Sequence, residues 1–306
     1  MVNSRITGNM PLPFPDENCY SLLCRYAVRR GLITTAQISE ELFEYTEPLS
    51  GYLYKPFRMR NIRSWFGKDK IPWQYGKDHS CYPYYSLFVS SAHAEILRSC
   101  APGTTMNSGT AKRINRDCGF TRSRKRALWY CPECVKEDFS LYGETCWRRL
   151  PQLPGAVYCP VHRVKLRESG VRVQDIQYQI VPATYALIHV PEPEPEAGNV
   201  YSERYIQLAE DMAWILANGF SLHGFDWIRA NYYGATGRTI RQHLFYGITE
   251  REHRGNQFED YLASKIMKDT AKERIDPFAS RQLGTILSLE DKFGTVENFY
   301  NEHGEE

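Results

Sequence analysis

The residues best suited to chemistry form two pairs: Cys131 and Cys134 spaced C-x2-C, and Cys159 and His162 spaced C-x2-H, with 24 residues between them. Each pair sets two soft or borderline donors on one tight turn, shaped by Pro132 and Pro160. Two such knuckles brought together make a tetrahedron that suits zinc. Four protein donors leave no position for water or substrate, so the expected ion is a single structural zinc rather than a hydrolytic one. Its binding should contribute directly to the folding of residues 129–166. Cys146 lies between the knuckles without a partner at two-residue spacing, and beside Trp147 it is expected to be a buried thiol.

The sequence carries no G-x-S-x-G, no GxxxxGK[ST] and no H-E-x-x-H, so the chain is expected not to be an enzyme. A dispersed acidic nuclease site is the enzymatic alternative. Nine cysteines, odd in number and scattered, fit reduced thiols plus one metal site better than a disulfide framework. Together with the absence of an apolar leader or a long apolar run, this points to a cytoplasmic protein that does not cross a membrane.

The net charge of +2 hides local clustering. Residues 112–126 hold Lys112, Arg113, Arg116, Arg122, Arg124, Lys125 and Arg126 against a single carboxylate, Asp117. Beside a metal knuckle such a cluster suits phosphate neutralisation, although a solvated face is the usual explanation of a charge run. Arg58, Arg60 and Arg63, with Trp65, form a second basic stretch. Arg148 and Arg149 are open to either reading.

The elements that must hold these residues are mainly α-helical. Residues 16–31 read as an amphipathic helix with Asp16 as N-cap, Leu22, Leu23, Tyr26 and Ala27 turned inward, and Gly31 as its stop. Thr34 or Thr35 caps a second helix, TAQISEEL, so the pair is a helix-turn-helix candidate, a weak pointer to DNA because most such pairs are plain packing. Further helices are expected within 58–67, 90–100 and 110–119. The texture changes at 129 to Pro, Cys and aromatic residues, and near alternation predicts a strand over 171–181. PEPEPEAGN reads as an extended linker, after which helices return at 203–219, 225–234, 239–248 and 258–272. The expected organisation is a helix-turn-helix-like domain over 1–128, a zinc-knuckle or zinc-ribbon module over 129–190, a linker over 191–200 and a C-terminal helical domain over 201–306.

Three stretches carry a family resemblance: FPDENCYSLLCRYAVRRG, HSCYPYYSLFV at 79–89, and YCPECVKEDFSLYGETCWRRLPQLPGAVYCPVHRVKL at 130–166. The last joins CPxC, an acidic residue, YG, an aromatic followed by Arg, LP and CPxH in that order. These fall on Cys131 to Cys134, Glu137, Tyr142 and Gly143, Trp147 and Arg148, Leu153 and Pro154, and Cys159 to His162. Over residues 10–190 the chain thus resembles the TniQ/TnsD family of bacterial transposons, and HSCYPYYSLFV favours the TnsD-like branch. The resemblance implies a target-site selector that binds a double-stranded DNA attachment site and recruits an AAA+ transposition regulator, while transposase subunits cut and join. A nucleoid-associated location would follow. Docking on a CRISPR effector complex is the alternative within the family, and a stand-alone zinc-containing transcription regulator is the alternative outside it. Tyr20, Tyr26 and Arg29 are the expected regulator-binding anchors.

Overall fold

A computed structural model describes residues 10–43, 49–55, 72–100, 108–117, 125–189, 202–240 and 277–304. The fold is mainly helical, with one two-stranded sheet among the described residues. The expected helices at 58–67 and 258–272, most of that at 239–248, and the linker at 191–200 lie outside the described residues.

Helix α1 (Cys19–Arg30) is set by its caps. The Asn18 side chain accepts from Ser21 N at 2.9 Å, Gly31 takes a left-handed φ of 69°, and Arg29 and Arg30 stand in the last turn, where cations offset the helix dipole. Asn18 rather than Asp16 is the N-cap. Asp16 instead adopts a left-handed φ of 58° one turn upstream. Every residue from Cys19 to Ala27 is buried, so α1 is a central core helix rather than a surface one. Helix α2 (Thr35–Leu42) begins with a reciprocal capping box between Thr34 and Gln37. It leaves Ala36, Gln37 and Glu40 exposed. The second helix of the helix-turn-helix candidate therefore presents no base to a phosphate backbone.

Short helices α3 (Pro72–His79), α4 (Tyr82–Ser86) and α5 (Ser91–Cys100) follow, then α6 (Ser108–Asp117). Strand β1 (Ala127–Tyr130) leads directly into helix α7 (Pro132–Tyr142) and pairs antiparallel with β2 (Arg167–Arg172) in the register Trp129↔Glu168 and Tyr130↔Arg167. The strand expected at 171–181 is thus displaced. Only its first two residues belong to β2, and Asp175–Gln177 is a 3-10 turn. Helix α8 (Ala183–Ala186) closes this region. Helices α9 (Ser202–Asn218), α10 (Phe225–Thr236), α11 (Pro277–Phe293) and α12 (Val296–His303) form the C-terminal part.

Buried residues from the N-terminal helices, the knuckle region and the C-terminal helices join one hydrophobic cluster. Trp147 sits fully buried within it, its backbone N donating to Ser21 Oγ and its Nε1 to Val181 O, both at 2.9 Å. The C-terminal part meets α4 closely: a Cβ at Gly219 would collide with the Pro83 carbonyl, and Ser86 Oγ donates to Gly219 O at 2.9 Å. No helix among the described residues is long and apolar enough to cross a membrane.

Candidate metal centre

Strand β1 delivers Cys131 to the N-terminus of α7. There its sulfur is the helix N-cap, accepting from Cys134 N at 3.4 Å, with Pro132 pre-set for the first turn. The second knuckle repeats the device: Cys159 Sγ accepts from His162 N at 3.5 Å, and Arg163 takes a left-handed φ of 56° to close the turn. The four donor atoms all lie within 4.8 Å of one another.

The spacing fits zinc. A tetrahedron with Zn–S of about 2.3 Å and Zn–N of about 2.0–2.1 Å has S···S edges of about 3.8 Å and S···N edges of about 3.5 Å. Cys134 Sγ and Cys159 Sγ are 3.8 Å apart, and His162 Nδ1 lies 3.7, 3.3 and 3.7 Å from the sulfurs of Cys131, Cys134 and Cys159. His162 thus presents Nδ1 to the sulfurs and turns Nε2 toward Glu137 Oε2 at 3.5 Å, the arrangement in which a carboxylate fixes a ligand's tautomer and orientation. Hydrogen bonds from the Cys131 and then the Cys134 thiol hold Cys159 far below the ordinary thiol range, while the same cluster pushes Cys134 far above it. Three thiols this close share one negative charge comfortably. A divalent cation is what would let all three ionise. Cys146 is buried apart from this set, its thiol pushed well up by burial.

The residues around the knuckles form a clasp on α1. Arg148 donates to Asp138 Oδ1 at 2.6 Å and to Pro15 O at 2.8 Å, and Asp138 also accepts from Thr145 Oγ1 at 2.8 Å. Arg149 donates to Asp16 Oδ1 at 2.8 Å and to the carbonyls of Lys77 and Ser80 at 2.6 and 2.9 Å. Arg25 bridges Glu17 and Glu144 at 2.7 and 2.8 Å beneath the Phe14 ring, which stacks on Tyr142 at 4.7 Å. Burial pushes the Glu17 carboxyl up to about 7 against the pull of Arg25. The FPDEN run and the WRRLP run are therefore two halves of one buried latch that fixes the knuckles to the first helix. Both arginines left open by the sequence belong to it.

The remaining site candidates separate. Lys112 and Arg113 are exposed on α6, whose Ile114 is buried, and Arg126 is exposed just before β1. Arg116 lies in α6, with nothing described of its side chain. Arg58, Arg60, Arg63, Arg122 and Arg124 lie outside the described residues. Lys125 points inward: its Nζ donates to Pro151 O and Ala156 O at 2.8 and 2.6 Å and lies 4.4 Å from the centre of the Trp129 ring. Burial lowers its pKa to about 7, so this member of the basic run serves the fold. Tyr20 and Tyr26 have no exposed surface and cannot anchor a partner as they stand. Arg29 is half exposed and pairs with Glu144 at 2.9 Å.

A mainly helical chain latched around a closed Cys3His knuckle pair is the class of protein these observations define. The sequence profile of the TniQ family matches residues 9–166, which holds the latch and all four donors. The chain belongs to the TniQ family. It is also similar to the transposon Tn7 transposition protein TnsD of Escherichia coli, 26% identical over 165 residues, a stretch covering 50% of this chain and 30% of that protein's length.

Proposed function

We propose that this chain is a DNA-binding target-site selector of a bacterial transposition system, marking an attachment site in double-stranded DNA and recruiting an AAA+ transposition regulator to it. The observation that carries the reading is the family match across 9–166, strengthened by the similarity to a transposition protein. The mechanism is tethering. Simultaneous hold on DNA and regulator raises the local concentration of the second at the first, and no bond is made or broken by this chain. The zinc ion would supply structure alone, held by the sulfurs of Cys131, Cys134 and Cys159 and by His162 Nδ1, with no coordination position left for a substrate. Transposase subunits, working in the cytoplasm at the nucleoid, would supply the chemistry.

Support for a DNA contact comes from Lys112 and Arg113, exposed side by side on α6. Phosphate contacts of this kind set register and orientation, and base reading needs further side chains. The test is a mobility shift and footprint with the purified, zinc-loaded chain on DNA flanking its own transposon, at about 150 mM salt, where phosphate contacts alone do not dominate. A discrete protected site is the expected result. Sequence-blind binding would sink direct reading and move the address to a partner complex, including a CRISPR effector.

A further inference from the structure

Beside the metal centre a cleft of about 450 Å3 runs between the C-terminal turn of α7, the second knuckle and the C-terminal half of α9. Its floor is apolar, with Leu216 and Ala213 of α9 facing Leu150 and Leu166. Its lip is apolar as well and open to solvent: Leu141 is 63% exposed, Tyr142 53% and Val161 76%. Side chains of this size left exposed together around a concavity mark a contact surface. A small molecule held inside the cleft would leave that lip uncovered, whereas an extended or helical peptide lying across it would cover lip and floor together.

The charge of the cleft selects the partner. Both guanidinium groups that line it are spent on neighbours, Arg148 on Asp138 and Arg149 on Asp16, and each pair is locally neutral. Glu137 is more than half exposed at the rim, with the His162 ring 3.5 Å away. When zinc is bound, three thiolates and a divalent cation leave one further negative charge at the wall of the cleft. The wall is therefore apolar and net negative, the reverse of the face that carries Lys112 and Arg113.

We propose that this cleft docks a short segment of a partner protein that places an apolar side chain in the cleft, flanked by Lys or Arg. The proposal rests on the adaptor reading for the existence of a partner, and it places that partner on a surface that a DNA backbone would avoid. Apolar anchors in a desolvated pocket supply most of the energy of such contacts, and the flanking cations supply orientation and speed of association.

The test uses the zinc-loaded full chain against a phage-displayed library of random short peptides, with Leu141→Lys and Val161→Lys as counter-targets. Both positions are largely exposed, and retained zinc content and circular dichroism check that the fold is unchanged. Peptides enriched on the natural chain should carry an apolar residue with a net positive flank. Synthesised singly, they should bind each lysine variant at least about tenfold more weakly, a loss of about 1.4 kcal/mol. Enrichment of acidic peptides, peptides indifferent to both variants, or no enrichment would each overturn the proposal. So would self-association of the natural chain that both variants abolish, which would make a second copy the occupant. DNA binding is read separately by mobility shift, so failure of the selector reading and failure of this one are told apart.

Discussion

Replacing Cys159 with serine removes one thiolate from the centre and should unravel the knuckles while leaving α1 folded. Zinc of this kind contributes an apparent 10–16 kcal/mol, roughly, in small modules, comparable with the about 5–15 kcal/mol that holds a whole domain. The structure shows where the loss lands. Cys131 Sγ caps α7, and Cys159 exchanges backbone hydrogen bonds with Val164 and Arg163 at 2.8 Å each. Tyr158, the residue before Cys159, stacks on Tyr205 of α9 at 6.1 Å, and the pair joins Ile206 and Leu287 in a small satellite cluster. Arg163 pairs with Glu203 and Glu210, but these groups are exposed, so the coupling to α9 runs through the tyrosines. Native-state hydrogen exchange should show protection across 131–142 and 157–166 falling by at least about a hundredfold in Cys159→Ser or after chelation, about 2.7 kcal/mol of local opening. The first turns of α9 should loosen less, and α1, held by Trp147 and the arginine latch, should change least. A variant that still binds one zinc with protection intact would refute the reasoning, and so would equal loss in α1.

Four other perturbations follow from the structure. Burial, together with the neighbouring Asp211 charge, raises Glu290 to about 9, so the native state favours the neutral acid. That stability is complete below the unfolded value near 4.5 and drains away as pH rises through about 9. Glu290→Gln should therefore flatten the loss of thermal stability between about pH 6 and pH 9, and an unchanged slope would show that another group titrates. Gly219→Ala drives a methyl group into the Pro83 carbonyl and should cost about 1–3 kcal/mol in denaturant unfolding; an unchanged midpoint would mean the contact yields freely. The double variant Lys112→Glu, Arg113→Glu should weaken DNA binding and flatten its salt dependence without changing the melting temperature. Lys125→Met should do the reverse, leaving the Pro151 and Ala156 carbonyls unpaired at about 1–3 kcal/mol while sparing DNA affinity. Equal effects of the two on DNA would undo the separation of these bases.

That Cys131, Cys134, Cys159 and His162 come together was legible because two knuckles with prolines inside them have few other uses. Helices α1 and α2 were legible through Gly31 and Thr34, which mark a stop and a start by local chemistry alone. Helix α4 was not, since a five-residue helix buried on every side carries no amphipathic period. Strand β2 was not either: the residues of RESGVR alternate between half-buried and exposed, and only Val171 among them is apolar and branched, so no apolar face announces it. Helix α7 was hidden because its N-cap is the Cys131 sulfur, a capping group outside the usual Ser, Thr, Asp and Asn. The alternation at 171–181 misled because Val171 and Val173 belong to the end of a strand and its exit, not to a longer one.

Charge was the least legible property, and the reason bears on function. Lys125 read as part of a phosphate-facing cluster and Arg148 and Arg149 were open to either reading, yet these three and Arg25 spend their donors inside the protein on carboxylates or carbonyls. Removing one partner from such a buried pair strands the other charge and costs about 3–5 kcal/mol. These bases are therefore committed to the fold and cannot be shared with a phosphate backbone. Under the adaptor reading, phosphate contacts within the described residues would fall to exposed bases such as Lys112 and Arg113, on a helix attached to the core through Ile114. The region where the latch fixes α1 against the knuckles instead presents an apolar, acid-rimmed cleft. Under the adaptor reading the division follows from the physics: a preformed cleft suits recognition of a protein segment, whereas phosphate binding needs only cations on an accessible helix.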